Sequence, residues 1–448
     1  MLSRRIAVVG TGITGLSAAY ALKKNGADVS VFEKNSIPGG AIRTVRSGEW
    51  LTEYGPNTLL LKDKRVALFL DEIGLEDQIV EANPEASRRF IVKDGIPQPL
   101  PSTFAAAIST PLFSLQGKLN VLKEPFIRKS DDSSETVADF VERRLGREIL
   151  EYAINPFVAG IFASNPEDLS LRHAFPVMYE MEQEYGSLIL AAIFGGSKRR
   201  KMGRIPRRLI SFRNGMQQLP AQIADHLDPV YYNTHIDTVE RREKGWVVKS
   251  AGAAYGPFEA VILNIPFYQQ KDILEPVDPK LKHFFDTVHY PPLSVVHLGY
   301  KKEDIEHPLD GFGFLVPAAE ERGILGALFS STLFPNRASG NHHLLTVFAG
   351  GGRQPEVAGL QTNQLVEMIE SELSDLIGLN GSHLFMDHVF WPHAIPGYEP
   401  GYDSVLGEYD RLEREQPGLF IAGNFRNGIS VPDCIQNGLR LAQKLSKA

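Results

Sequence analysis

The segment from Ile6 to Glu33 constrains this chain more than any other. It reads as a hydrophobic strand, Ile6-Ala7-Val8-Val9, a glycine turn, Gly10-Thr11-Gly12-Ile13-Thr14-Gly15, a helix continuing through Leu16 to Leu22, and a second strand ending in Glu33. That order is a βαβ unit built to receive a dinucleotide. Gly10 permits the tight turn, Gly12 lets the backbone approach a pyrophosphate, and Gly15 lets helix and strand pack closely. The helix N-terminus then offers N–H groups and positive dipole to the phosphates. Glu33 lies 18 residues past the last glycine, where a carboxylate can accept the adenosine ribose hydroxyls. A glycine turn with no ligand is the plainer alternative, and the flanking strand, helix and acid argue against it.

Composition narrows the remaining classes. A chain of 448 residues has room for several domains and a large core, and its net charge of −7 argues against general nucleic-acid binding. Cys434 is the only cysteine, which excludes an internal disulfide and a multi-cysteine zinc site and suits a reducing, cytoplasmic compartment. The first strand begins at residue 5 or 6, so neither a signal nor a transit peptide is expected ahead of it. Apolar runs such as Leu188 to Phe194 are too short to span a bilayer.

Beyond the opening unit, strand and helix alternate until about residue 230, where short β-rich runs take over. Tyr231 to Thr238 and Trp246 to Ser250 read as an antiparallel pair, Ala260 to Asn264 as an apolar strand halted by Pro266, and Gln361 to Ile377 as an embedded helix. Residues 136 to 154 place Val137, Phe140, Val141, Leu145, Ile149 and Tyr152 on one helical face, with Thr136 and Asp139 spaced as a capping box. Between Lys198 and Arg208 seven of eleven residues are Lys or Arg, and Gly203 and Pro206 discourage a helix. An exposed loop is expected there. It reads either as a solvated linker or, because apolar Leu188 to Phe194 lies just before it, as a contact for anionic lipid headgroups on the inner face of a membrane.

A second glycine pair, Gly39-Gly40, is followed by Ala41, Arg43, and then Glu53-Tyr54-Gly55-Pro56-Asn57. A simple NAD enzyme has no use for this extension, whereas a cofactor that continues past the first mononucleotide does, so FAD is favoured. The far end agrees. Leu419 to Asn424 reads as a buried strand running into a glycine turn, and Val431-Pro432-Asp433 opens a closing helix whose N–H groups could face the flavin pyrimidine.

These motifs resemble the FAD-dependent amine oxidase and phytoene desaturase superfamily, and within it the protoporphyrinogen oxidases. The further signs are Pro156 to Ile161, Phe212 to Met216, Gly326 to Ser331, Tyr402 to Val405 and Gly418 to Pro432, so the likeness runs nearly the whole chain. It implies an α/β fold in which an FAD-binding Rossmann-like domain (1–80, 206–268 and 390–448) joins a β-rich substrate domain (81–111 and 269–389). A helical, membrane-associating insertion would occupy 112–205. By the same resemblance, Gly10 to Gly15, Glu33, Lys34, Gly40, Ala41, Arg43 and Gly55 to Thr58 (Gly55, Pro56, Asn57, Thr58) hold the cofactor. Ile236 would lie near the adenine, and Gly423, Asn424, Val431, Pro432 and Asp433 around the flavin end. Arg89 would hold a propionate of a tetrapyrrole whose rings stack on Leu315, Leu328 and Phe348. The activity implied is oxygen-dependent, six-electron oxidation of protoporphyrinogen IX to protoporphyrin IX, with FAD taking hydrides, dioxygen reoxidising it, and no side-chain base nominated. Ala41 departs from relatives that carry Arg or Trp directly after the glycines.

Rival readings are coproporphyrinogen oxidation on the same fold, an amine or carotenoid oxidoreductase, and a flavin-free binding protein resembling the Rab GDP dissociation inhibitors. His383, His388 and His393 recur every five residues, a spacing that stacks ligands on neither a helix nor a strand face, so no metal is expected.

Overall fold

In the computed structural model, which describes residues 4–101, 103–195 and 204–447, the opening unit forms as its pattern predicts. Arg5–Val9 and Asp28–Phe32 pair in parallel around the helix Ile13–Lys24, and Val230–Tyr231, Ala260–Leu263 and Leu419–Ile421 complete a five-stranded parallel sheet. Its strands are near-continuous apolar runs because both faces are covered. The closing helix Val431–Lys447 lies along Ile13–Lys24, and a Cβ on Gly438 would meet the carbonyl of Thr14.

A second sheet of seven strands runs in the spatial order Phe385–Trp391, Leu293–Lys301, His342–Gly350, Ile324–Phe329, Gly313–Leu315, Arg89–Lys93, Ile96–Pro99. One face is packed against the helix Thr362–Ile377 through Phe90, Val296, Phe314, Val347 and Leu365. The other face turns toward the strand Trp50–Glu53 and Tyr54 beyond it, since Thr52 and Tyr54 reach Asp387 on the edge strand. The molecule is therefore mixed α/β with a parallel sheet.

Three expectations need correction. Thr238–Arg242, not 231–238, pairs with Gly245–Ser250, because Val230–Tyr231 is drawn into the parallel sheet beside Asp28–Phe32. The helix expected over 136–154 has its capping box at Thr136 and Asp139 but breaks at Gly146, whose φ of 90° ends Val137–Leu145; a π-turn over Leu150–Ile154 follows. Of the basic stretch, Lys198 to Gly203 lies outside the described residues, while 204–208 belongs to the strand Arg204–Phe212, central between Leu59–Asp63 and Ile79–Glu81. Pro206 is tolerated there because the register shifts beside it, between the pairings of Leu61 and Asp63.

The helical region is held from inside by charge. Arg144, Glu124 and Glu182 are fully buried: the Arg144 Nε donates to Glu182 at 2.7 Å, its Nη1 to Glu124, and Glu124 also accepts from the first N–H groups of the helix Leu188–Phe194. Outside that network the same region exposes Leu115, Leu122, Phe126, Ile193 and Phe194, with Phe126 89% accessible. No helix among the described residues is long and apolar enough to cross a membrane.

Candidate active site

The glycine turn is built against Asn264, the residue that ends the strand Ala260–Leu263. Its Nδ2 donates to the carbonyls of Gly10 (3.3 Å) and Gly12 (2.9 Å), and a Cβ on Gly12 or Gly15 would strike this side chain. Gly10 has φ of 93° and would drive a Cβ into the Asn264 carbonyl. The helix that follows starts from Gly12 with no side-chain cap, so no cap side chain takes the N–H groups of its first turn.

Glu33 is 4% exposed beneath the same turn. Its carboxylate accepts from Thr11 N (3.0 Å), Thr11 Oγ1, Asn35 N and Asn35 Nδ2 (both 2.8 Å), while Thr234 N donates to its backbone carbonyl at 2.8 Å. The last contact brings the segment containing buried Ile236 alongside Glu33. Lys34 points away and donates to Gln269 Oε1 at 3.0 Å. On the other side Gly39 N donates to Thr11 O (3.1 Å), and Gly40, with φ of 60°, passes over Gly12, whose Cα would lie 3.7 Å from a Cβ there. Ala41 then touches Gly55, which could not carry a Cβ there, and Asn57 Nδ2 donates to the Gly55 carbonyl at 3.2 Å. Gly40, Ala41 and Arg43 are exposed and Gly55, Pro56, Asn57 and Thr58 half-exposed, so this run stays accessible beside the first turn of the helix. Gly423 and Asn424 follow the last parallel strand, with Asn424 fixed by Tyr398 through its carbonyl (2.6 Å), while Val431 and Pro432 are buried and Asp433 faces Ser430.

The donor set suits an extended dinucleotide. Uncapped N–H groups are suited to receive phosphate, a buried carboxylate is suited to accept ribose hydroxyls, and Gly12, Gly15 and Gly55 stand where a Cβ would clash.

The seven-stranded sheet orders the other four residues. Cross-strand pairing puts Arg89, Gly313, Leu328, Thr346, His297 and Asp387 in one row, and Ile91, Leu315, Gly326, Phe348, Val295 and Val389 in the row two residues on. Side chains two residues apart share a face, so Arg89, Leu315, Leu328 and Phe348 stand together on the face that carries Asp387, the partner of Tyr54. Leu315, Leu328 and Phe348 are half-exposed within strands whose apolar residues are otherwise buried. Arg89 is exposed and its guanidinium lies 5.1 Å from the Phe312 ring centroid; no carboxylate pairs with it among the described residues.

Sequence reasoning missed Tyr54, Asp387, His297 and Trp391. Asp387 accepts from Tyr54 Oη and Thr52 Oγ1 (both 3.0 Å), His297 stacks on Tyr54 at 6.2 Å, and Trp391 Nε1 donates to the Tyr54 carbonyl at 2.9 Å. Burial pushes the Tyr54 phenol above its usual range, with Asp387 adding to the shift and Arg43 opposing it; burial pushes His297 down to about 4. Beside them Glu53 and Arg337 form a buried pair at 2.8 Å, and burial lifts the Glu53 carboxyl to about 7 against the pull of Arg337. No local motif announces these pairings, since 333 residues separate Tyr54 from Asp387.

Residues 13–446 match the family model described as flavin containing amine oxidoreductase. The chain belongs to the flavin-containing amine oxidoreductase family. Like other members of that family it is an FAD-dependent oxidoreductase. Among curated members it is 34% identical to protoporphyrinogen oxidase 2 of Arabidopsis thaliana, over 98% of this chain and 93% of that one. It is 25% identical to coproporphyrinogen III oxidase of Bacillus subtilis, over 97% and 96%. Among solved members of the fold, a protein of Exiguobacterium sp. 255-15 assigned provisionally as a protoporphyrinogen oxidase superposes with a TM-score of 0.82 at 21% identity, covering 100% of this chain and 99% of that one. Reduced UDP-galactopyranose mutase does so with 0.78 at 15%, covering 100% and 95%. These last two likenesses speak to the fold.

Proposed function

We propose that the chain oxidises protoporphyrinogen IX to protoporphyrin IX in tetrapyrrole biosynthesis, with dioxygen as electron acceptor. The observation that carries this reading is the sheet face on which one unpaired guanidinium and three half-exposed apolar side chains stand in two adjacent rows. A flat apolar macrocycle needs such walls, and its carboxylates need a guanidinium at the edge. The 34% identity to a protoporphyrinogen oxidase over nearly the full length supports it.

FAD, when bound, supplies a two-electron hydride acceptor. The chain's part is to position and to exclude water. The first turn of Ile13–Lys24 receives the pyrophosphate, Glu33 the ribose, and Gly40, Ala41, Arg43 and Gly55 to Thr58 flank the remainder; Ile236 lies toward the adenine, and Gly423, Asn424, Val431, Pro432 and Asp433 close the flavin end. Arg89 holds a propionate while Leu315, Leu328 and Phe348 hold the rings. Segments 1–80, 206–268 and 390–448 form the cofactor domain in this reading, 81–111 and 269–389 the substrate domain, and 112–205 an insertion that rests on a membrane surface through Leu115, Phe126, Ile193 and Phe194.

Porphyrin fluorescence from each porphyrinogen, in air and without oxygen, tests the reading. Rapid product from protoporphyrinogen in air is expected. The likeness to a coproporphyrinogen III oxidase favours a second reading, which a clear preference for coproporphyrinogen would put first.

A further inference from the structure

Arg43 is an exposed cation in the run that follows Gly40, yet among the described residues no carboxylate pairs with it. What holds it is the face of Tyr54, with the guanidinium carbon 5.7 Å from the ring centroid, and Tyr54 N donates to the Arg43 carbonyl at 2.9 Å. Tyr54 is itself anchored from the other domain. Its phenol donates to Asp387, its carbonyl accepts from Trp391 Nε1, and His297 covers it at 6.2 Å; Asp387 and Trp391 belong to the edge strand Phe385–Trp391 and His297 to its neighbour. The raised phenol keeps its proton, so it remains a donor to Asp387, and that hydrogen bond enriches the ring that the cation faces.

We propose that Tyr54 is the positioning residue for Arg43: clamped by Asp387 and Trp391, its ring fixes the guanidinium beside the cofactor, so the edge of the substrate sheet sets the charge felt at the flavin. This rests on the reading of Arg43 as a cofactor-side residue. A fixed positive charge favours the negative charge that reduction places on the cofactor, and an unanchored one is averaged by solvent. The other charged or titratable groups near the clamp, Glu53, Arg337 and His388, act on His297, and Glu53 is paired with Arg337.

The test uses the holoenzyme in a double-mutant cycle of Arg43→Gln and Tyr54→Leu, read by the midpoint potential of the bound flavin and by FAD release on dilution. Each single variant should lower the potential and hasten release about three- to tenfold, and the double variant should go no further than either alone. Tyr54→Phe and Asp387→Asn, which keep the packing, should shift the potential in the same direction by less. An unmoved potential in Arg43→Gln would overturn the cofactor-side reading of Arg43 and this proposal with it. A potential that moves in Arg43→Gln but not in Tyr54→Leu, or effects that add in full, would overturn this proposal alone.

Discussion

Arg89 opens the strand Arg89–Lys93, next to last in the seven-stranded sheet, and is exposed with its guanidinium over Phe312. Because the group is hydrated before substrate arrives, pairing with a propionate gains less than it would in a sealed cleft. Arg89→Ala is therefore expected to raise the Michaelis constant for protoporphyrinogen about five- to thirtyfold, with bound FAD unchanged. Steady-state kinetics with the flavin spectrum as control decide it, and an unchanged constant removes Arg89 from the substrate site. His297 makes a different prediction. Its folded pKa of about 4 lies below the ordinary value, so the unfolded chain takes up a proton first; its share of stability is complete above about pH 6.5 and is lost as pH falls toward 4. By pH 5 the loss is about 2 kcal/mol. Urea unfolding at pH 7.5 and 5 should show His297→Gln losing correspondingly less than wild type, and parallel losses would sink the assignment. These two residues also differ in how far the sequence discloses them. Gly10 to Gly15 and Glu33 declare their chemistry locally, through spacing on a strand, turn and helix. Asn264, Asp387 and His297 act through partners hundreds of residues away, and nothing beside them in the chain marks those partners.

Among the elements, the helices Ile13–Lys24 and Val431–Lys447 pack so closely that Gly438 has no room for a methyl group, which would meet the Thr14 carbonyl and come within 2.9 Å of Ser17 Cβ. Gly438→Ala should cost about 1 to 3 kcal/mol by overpacking, and should weaken FAD retention as well if the turn containing Thr14 receives the cofactor as proposed. Gly407, inside the helix Tyr402–Glu415 with nothing within 4 Å of its Cβ, supplies the contrast: Gly407→Ala should raise stability by up to about 1 kcal/mol. Thermal midpoints and flavin content measure both, and a Gly438 variant as stable as wild type would mean that the two helices can separate freely. The elements read best from sequence were those whose pattern and ends were both local, such as Thr362–Ile377 and Ala260–Leu263. The misread ones were decided at a distance. Arg204–Phe212 is basic and carries a proline, yet two strands more than a hundred residues upstream claim its hydrogen bonds, and Val230–Tyr231 is captured by the parallel sheet before it can extend toward Thr238.

At the scale of the molecule, the helical region combines a buried charge network with an exposed apolar surface. Arg144, Glu124 and Glu182 lock the helices from within, so Leu115, Phe126, Ile193 and Phe194 are displayed on a rigid frame rather than free to fold inward. Phe126→Asp with Ile193→Asp should reduce co-sedimentation with anionic liposomes severalfold while leaving flavin content and the thermal midpoint unchanged. Equal sedimentation of variant and parent would return this surface to solvent.

The parallel sheet is assembled from both ends of the chain, with Arg5–Val9 joined to Ala260–Leu263 and that strand to Leu419–Ile421. On a ribosome, the glycine turn is made first and waits longest. Until Leu419–Ile421 and Val431–Lys447 emerge, Ala260–Leu263 is an open sheet edge and the apolar flank of Ile13–Lys24 lies bare. A message cut short before codon 418 would thus yield a nascent chain that carries its cofactor motif intact yet lacks the two pieces that shelter it, a natural target for chaperones and proteases.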